Sequence, residues 1–230
     1  MKTKDKKLAI ILIGPPGAGK GTQAALLADK FGLKVVASSK IIRQKFRQNP
    51  DNPEVKEAKI KYDKGELISP ETMAKWTIEY IQKTEHSVVF DGTARTLYEA
   101  KNVYPELVKK FGMENVHVIY LDIAPKTTIF RNTHRKVCEN EKCRQSIVYS
   151  SETKKWKFCP KCGYKLIVRK LDNLKIIKQR LKVFKRNTGP AIAFFARQAG
   201  GQAKRKILKK VDGEPSAAEV FASIAQLIDN

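Results

Sequence analysis

The run Gly14-Pro15-Pro16-Gly17-Ala18-Gly19-Lys20-Gly21-Thr22 constrains this chain more than any other stretch. It follows Leu8-Ala9-Ile10-Ile11-Leu12-Ile13, an apolar run that reads as a buried strand. It precedes Gln23-Ala24-Ala25-Leu26-Leu27-Ala28, which reads as a helix. Strand, glycine-rich turn and helix N-terminus, in that order, make a phosphate-binding loop. The glycines let backbone N–H groups converge on a polyphosphate, the helix end adds partial positive charge, and Lys20 adds a full one. The ligand implied is a nucleoside triphosphate, held by Gly14, Gly17, Ala18, Gly19, Lys20, Gly21 and Thr22.

The rest of the chain alternates strands and helices. A short strand is expected at 34–37, then helices at 39–48, 53–63 and 70–83. A strand at 87–90 ends on Asp91-Gly92, and a helix at 97–111 carries Pro105 as an expected kink or break. Another buried strand spans 116–121, and a helix 125–135. One long amphipathic helix is expected from 172 to just before Gly200-Gly201, then a strand at 206–211 and a helix at 216–228 capped by Ser216. Alternation of this kind gives an α/β fold, a doubly wound parallel sheet flanked by helices, with its ligand site at the carboxyl ends of the strands. The P-loop and Asp91 both fall there.

Residues 137–168 break the pattern. They hold all four cysteines, have no helical period, and read as a small β insertion. Cys138-x4-Cys143 and Cys159-Pro160-Lys161-Cys162-Gly163 suggest four thiolates around a structural Zn²⁺, against four free thiols or a disulfide. Such an ion would fold a segment too small to hold a core. Tyr149, Trp156, Phe158 and Tyr164 are expected to form a small core there, with base stacking as the other reading.

The 230-residue chain has a net charge of +23. Part of that excess is expected to line a cleft for polyanions, and the remainder reads as a solvated, lysine-rich surface. Nucleic acid enters only as weak, non-specific binding. No apolar run approaches the ~20 residues needed to cross a bilayer. The basic start, Met1 to Lys7, runs into a strand and a P-loop rather than an export signal, so a cytoplasmic protein is expected.

Position 21 sharpens the reading. A general P-loop has Ser or Thr there as a magnesium ligand, whereas this chain has Gly21 then Thr22. The run G-P-P-G-A-G-K-G-T-Q resembles the nucleoside monophosphate kinases, adenylate kinase above all. That resemblance implies phosphoryl transfer from MgATP to a nucleoside monophosphate, with AMP the first-choice acceptor. It also implies site residues along almost the whole chain. Arg43 and Ser38, in Ser38-Ser39-Lys40-Ile41-Ile42-Arg43, would meet the acceptor's phosphate and its base or sugar. Glu66 and Ile68, in Gly65-Glu66-Leu67-Ile68-Ser69, would meet its base through their backbone. In Asp91-Gly92-Thr93-Ala94-Arg95-Thr96, Asp91 would orient magnesium-bound water, and Gly92 and Arg95 would line the acceptor phosphate site. Arg131 would lie against the ATP base and Arg135 on its phosphates. Arg169 and Arg180 would clamp the transferring phosphoryl group, a task suited to guanidinium forks.

The resemblance divides the chain into a P-loop core (1–38, 70–135 and 169–230), a helical NMP-binding segment (39–69) and a lid (136–168). A monomer is expected. Departures gather on the acceptor side. Thr93-Ala94 replaces the family's Phe-Pro, Lys40 an aspartate, and Leu171-Asp172 an Asp-Asp pair. Glu99 stands where a glutamine reads the adenine edge. The x4 cysteine spacing is looser than the usual C-x2-C. Two other functions therefore stay open: a kinase for another acceptor such as CMP, and a nucleotide-regulated RNA-binding protein built on a zinc ribbon.

Overall fold

The computed structural model describes residues 7–64, 66–169, 172–200 and 205–229. Sequence readings at residues 1–6, Gly65, Leu171, Gly201 and Lys204 lie outside them. The chain runs β1 (Ala9–Ile13), α1 (Lys20–Phe31), β2 (Lys34–Ala37), α2 (Ser38–Gln48), α3 (Pro53–Asp63), α4 (Pro70–Lys83) and β3 (Val88–Asp91). It continues through α5 (Leu97–Phe111), β4 (Val116–Asp122), α6 (Pro125–His134), and the short strands β5 (Lys136–Cys138), β6 (Ser146–Ile147) and β7 (Leu166–Ile167). The last part holds α7 (Leu174–Val183), a π-turn (Phe184–Thr188), α8 (Gly189–Arg197), the two-residue strands β8 (Ala199–Gly200) and β9 (Arg205–Lys206), then β10 (Leu208–Asp212) and α9 (Ala217–Asp229).

The main sheet is parallel, in the order β10-β4-β1-β3-β2. β1 is buried along its whole length because both faces are covered. Ala9, Ile11 and Ile13 pack on one side with Trp76, Val103, Leu107 and Phe195. Ile10 and Leu12 pack on the other with Ala24, Leu27, Val220 and Ile224. The period-2 alternation of the strand thus feeds two hydrophobic layers. Pairing of Leu12 with Asp91 and of Ile13 with Tyr120 brings three strand ends level. The loop after β1 therefore emerges between the ends of β3 and β4, where neighbouring connections diverge and leave a crevice.

Two helices begin where the sequence marks them. Asn52 accepts from the N–H groups of Glu54 and Val55 ahead of Pro53, and Ser69 accepts from Thr72 ahead of Pro70. Two other expectations are refined. Pro105 does not break α5, which is continuous. Pro105 and Lys101 lie on the exposed side, so water meets the carbonyl that proline leaves unbonded, while Val103, Tyr104 and Leu107 keep their core packing. The long helix expected from 172 is present as one helical run from Leu174 to Arg197, in which a π-turn separates α7 from α8. Pro190 cannot donate back into the preceding turn, and buried Thr188 donates its hydroxyl to the Arg95 carbonyl at 2.8 Å.

The cysteine-bearing segment forms a separate antiparallel sheet, β6-β5-β7. Its core is small: Cys138, Ile147, Cys159 and Leu166, with Trp156 packed against them. The expectation that all four aromatics share that core fails. Tyr149 packs instead on Phe130 and His134, and Phe158 and Tyr164 stay 64% and 54% exposed.

Candidate active site

The loop between β1 and α1 is shaped by its glycines. Gly17 adopts φ +82°, and a Cβ there would lie 2.5 Å from Asn132 Nδ2 on α6, so neither backbone nor space admits another residue. Lys20 opens α1 and folds its ammonium group back over the loop, donating to the carbonyls of Gly14 at 2.7 Å and Pro15 at 2.9 Å. Enclosure of that ammonium lowers its pKa to about 8. The Asp91 carboxylate opposes the shift, and the charges of Arg95, Arg180 and Arg135 reinforce it.

Position 21 faces the end of β3. A Cβ on Gly21 would stand 3.4 Å from Asp91 Oδ2, an ordinary contact. The carboxylate of Asp91 thus occupies the neighbourhood where a general P-loop would present its hydroxyl. Beyond Asp91 the chain turns sharply. The Gly92 carbonyl accepts from Ser38 Oγ and from Arg95 Nε, both at 2.6 Å, tying the start of α2 to the arginine. Ala94 is fully buried at φ +56°, a left-handed conformation that a proline could not adopt and that costs a non-glycine residue about 1 kcal/mol. Thr96 then caps α5, accepting from Glu99 N–H at 3.2 Å and donating to the Glu99 carboxylate at 3.0 Å. This is a capping box. Glu99 also accepts from the Arg95 N–H at 3.3 Å, and burial raises its pKa despite those bonds.

Three arginines converge on the same region as Arg95, from α6, α7 and their flanks. Arg135 makes a two-pronged contact with Asp172, whose side chain is fully enclosed: Nη2 reaches both carboxylate oxygens at 2.7 Å, and Nε reaches Oδ2 at 3.1 Å. Arg180 Nη1 lies 3.8 Å from the same carboxylate and is buried without a hydrogen bond. Burial, then the nearby Arg169 and Arg135, lower the Arg180 pKa to about 10. Arg169 is lowered by burial and by Arg135 in turn. The structure therefore brings together Lys20, Asp91, Arg95, Arg135, Arg169 and Arg180: five cations around Asp91 and Asp172. An enclosed cluster with that excess, and an unbonded guanidinium nitrogen, is built for a polyanion.

Other predicted residues make none of the contacts named above. Arg131, on α6, donates to the carbonyls of Gly213 and Glu214, each at 2.8 Å. Arg43 and Glu66 are exposed, and Ile68 is buried. The sequence reading left Asn132, Asp172 and Thr188 out of the site, although Asn132 closes the space beside Gly17, Asp172 pairs with Arg135 and lies near Arg180, and Thr188 bonds the Arg95 carbonyl. Spacing gave a signal for one of them: Asn132 lies one residue past Arg131 and three before Arg135, on the face of α6 turned to the loop.

The four cysteines are free, and their Sγ atoms all lie within 4.8 Å of one another. Cys138 and Cys162 are separated by 3.4 Å and Cys143 and Cys159 by 3.8 Å, close to the ~3.8 Å between thiolates around a tetrahedral ion with Zn–S bonds of about 2.3 Å. The residues present fit zinc. Burial and the Cys162 contact push Cys138 up to about 12. Burial opposes but the backbone N–H groups of Lys161 and Cys162 pull Cys159 down to about 7.

The structure also accounts for the wide first spacing. Gly163 at φ +73° donates to the Cys159 carbonyl at 2.9 Å, and Arg144 at φ +49° donates to the Asn140 carbonyl at 2.9 Å. Asn140 thus stands where the first cysteine of a C-x2-C turn would be. Cys138, two residues earlier on β5, supplies the sulfur instead, and Asn140 Nδ2 approaches Cys162 Sγ at 4.0 Å.

The sequence model of the family described as "Adenylate kinase" matches residues 12–200. The adenylate kinase of Clostridium beijerinckii is 31% identical over 226 residues, covering 97% of this chain and 99% of the relative. That of Archaeoglobus fulgidus is 30% identical over 222 residues, covering 96% and 97%. A Thermoanaerobacter species contributes a third, 32% identical over 224 residues, covering 96% and 98%.

Proposed function

The chain belongs to the adenylate kinase family, and from that premise we propose that this nucleoside monophosphate kinase takes AMP as its acceptor, in the reaction ATP + AMP = 2 ADP. The observation that carries phosphoryl transfer is the convergence of Lys20, Arg95, Arg135, Arg169 and Arg180 around only two carboxylates; adenine as the acceptor base is supported by the relatives, named adenylate kinases.

In this reading Lys20 leaves the Gly14 and Pro15 carbonyls to meet the donor's phosphates, aided by the amides of the loop. Arg135 holds the same phosphates, and Arg131, its terminal nitrogens already bonded to carbonyls, lays its flat face against the base. Arg43 and Arg95 hold the acceptor phosphate, with Ser38 and Gly92 shaping its edge. The backbone at Glu66 and Ile68 meets the acceptor base, and Glu99 closes that side. An oxygen of the acceptor phosphate attacks the terminal phosphorus, and the bond to the bridging oxygen breaks. Arg169 and Arg180 neutralise the charge spread over the travelling group. A magnesium ion bound with the donor would supply further neutralisation of phosphate charge, and Asp91 is the residue that would orient its water. Closure of 39–69 and of the 136–168 lid excludes water, which would otherwise be the competing acceptor. The protein acts as a cytoplasmic monomer. No helix among the described residues is long and apolar enough to cross a membrane.

A coupled assay across AMP, GMP, CMP and UMP tests the acceptor. AMP is expected to give the highest kcat/KM. Arg95→Ala should lower kcat/KM for the acceptor about a hundredfold while leaving ATP binding within a few fold, since its loss removes a charge-assisted contact on one side only. Preference for a different base would replace AMP, an outcome that the engaged carboxylate of Glu99 makes worth measuring.

The four cysteines hold a structural zinc ion that folds the lid. One zinc per chain is expected by metal analysis. Cys159→Ser with Cys162→Ser should abolish it and open residues 136–168 to limited proteolysis, because so small a core cannot stand alone. Wild-type protein that lacks metal yet resists cleavage there would refute the assignment.

A further inference from the structure

The positive charge of this chain is concentrated in one stretch. Between Thr153 and Val211 the sequence has nineteen Lys and Arg and a single acid, Asp172. Only Arg169 and Arg180 of these belong to the active-site cluster, and Asp172 is buried within it. Nucleotide chemistry therefore leaves most of that excess unexplained.

Its sharpest concentration lies on the hairpin that carries the second cysteine pair. Phe158 pairs with Lys165, Cys159 N–H donates to the Tyr164 carbonyl at 2.7 Å, and Leu166 N–H donates to the Lys157 carbonyl at 2.8 Å. Lys154, Lys155, Lys157, Lys161 and Lys165 are all exposed on or beside this hairpin, and none has an ion pair among the described residues. The one carboxylate bonded to it is that of Glu139, which accepts from the Lys165 backbone N–H at 3.3 Å. Phe158 and Tyr164, 64% and 54% exposed, stand among these lysines. Two large exposed rings on a hairpin braced by four cysteines gain nothing for the fold by facing water. A second basic row follows on α7, where Lys175, Lys178 and Lys182 are exposed at helical spacing and the one acid nearby in sequence, Asp172, is buried with Arg135.

We infer that the cysteine hairpin is a binding surface for a single-stranded polynucleotide, with Phe158 and Tyr164 stacking on bases and the flanking lysines on phosphates. Rigid rings with unpaired cations on either side match a flexible strand whose bases are free to turn outward. A duplex hides those faces, and a lipid surface has none. The surface is separate from the P-loop cluster and does not depend on the acceptor assignment.

The test is fluorescence anisotropy with a labelled 12-residue oligouridylate lacking a 5′ phosphate, on full-length zinc-loaded protein saturated with ADP. Binding is expected at 50 mM KCl and should weaken roughly fiftyfold by 200 mM if four phosphates are engaged. Phe158→Ala with Tyr164→Ala should weaken it about tenfold or more at low salt. Lys154, Lys155 and Lys157 changed together to Gln should flatten the salt dependence. Zinc content and circular dichroism establish that each variant is folded. Should either lose its fold, competition on the wild type by oligouridylate against base-free polyphosphate of equal charge reports stacking, and equal competition by the two overturns the inference. The inference is overturned by absent binding at 50 mM, by an intact affinity in the folded aromatic variant, or by equal binding to a duplex or to phosphatidylserine vesicles.

Discussion

Lys20→Met is expected to reduce kcat about a thousandfold, or about 4 kcal/mol of transition-state stabilisation, with the fold intact. Methionine fills a similar volume but cannot donate to the carbonyls of Gly14 and Pro15, nor to the phosphates that replace them. The lysine also carries a pH signature. Its folded pKa of about 8 lies below the ordinary value of 10.5, so the fold favours the neutral amine. The unfolded chain then binds more protons, and this residue's contribution makes stability rise as pH climbs from about 8 to 10.5. A triphosphate reverses the preference, because it stabilises the ammonium form. Nucleotide binding should therefore take up a proton near pH 8 to 9, and apparent affinity should fall as pH rises through that window. Titration calorimetry in buffers of different ionisation enthalpy reads the uptake, and Lys20→Met should abolish it. A variant keeping more than a tenth of wild-type kcat would remove Lys20 from the chemistry.

Asp172→Asn should produce the largest loss of stability among the site variants. Asparagine keeps the shape but removes the charge that Arg135 grips through three contacts and Arg180 approaches at 3.8 Å. Arg135, Arg169 and Arg180 would then face one another with no anion between them. Removing one partner of a buried ion pair costs about 3–5 kcal/mol. The lower end applies here, because the Arg180 side chain is 40% exposed and water screens part of the repulsion. At about 3 kcal/mol, the melting temperature should drop by about 6–12 °C for a chain of this size. ADP or inorganic phosphate should stabilise the variant more than the wild type, since an anion supplies what Asp172 withdrew. Equal melting temperatures without ligand would show that the arginines do not depend on this carboxylate.

The local code was most legible where short-range chemistry sets the structure. Asn52-Pro53 and Ser69-Pro70 pin the starts of α3 and α4 because the cap and the proline act within one turn. The strands were legible as apolar runs, but their ends shifted by a residue or so. Pairing across the sheet, as between Leu12 and Asp91, decides where a strand stops. Pro105 misled because its effect depends on which side of the helix meets water. The π-turn at Phe184–Thr188 was hidden because one of its anchors, the Arg95 carbonyl, lies 93 residues away.

The sequence by itself determined that a P-loop follows a buried strand, that strands and helices alternate into a parallel sheet, and that four cysteines share one short segment. Each follows from covalent spacing and from the period of apolar residues. Tertiary structure alone decided that Arg95, Arg135 and Arg180 act on Lys20 with Arg169 beside Arg135, while Arg131 bonds the Gly213 and Glu214 carbonyls, that Asp172 joins two of the cluster, and that Phe158 and Tyr164 face solvent. Charge repels charge regardless of chain order, and only a packed scaffold can hold five cations within one cleft.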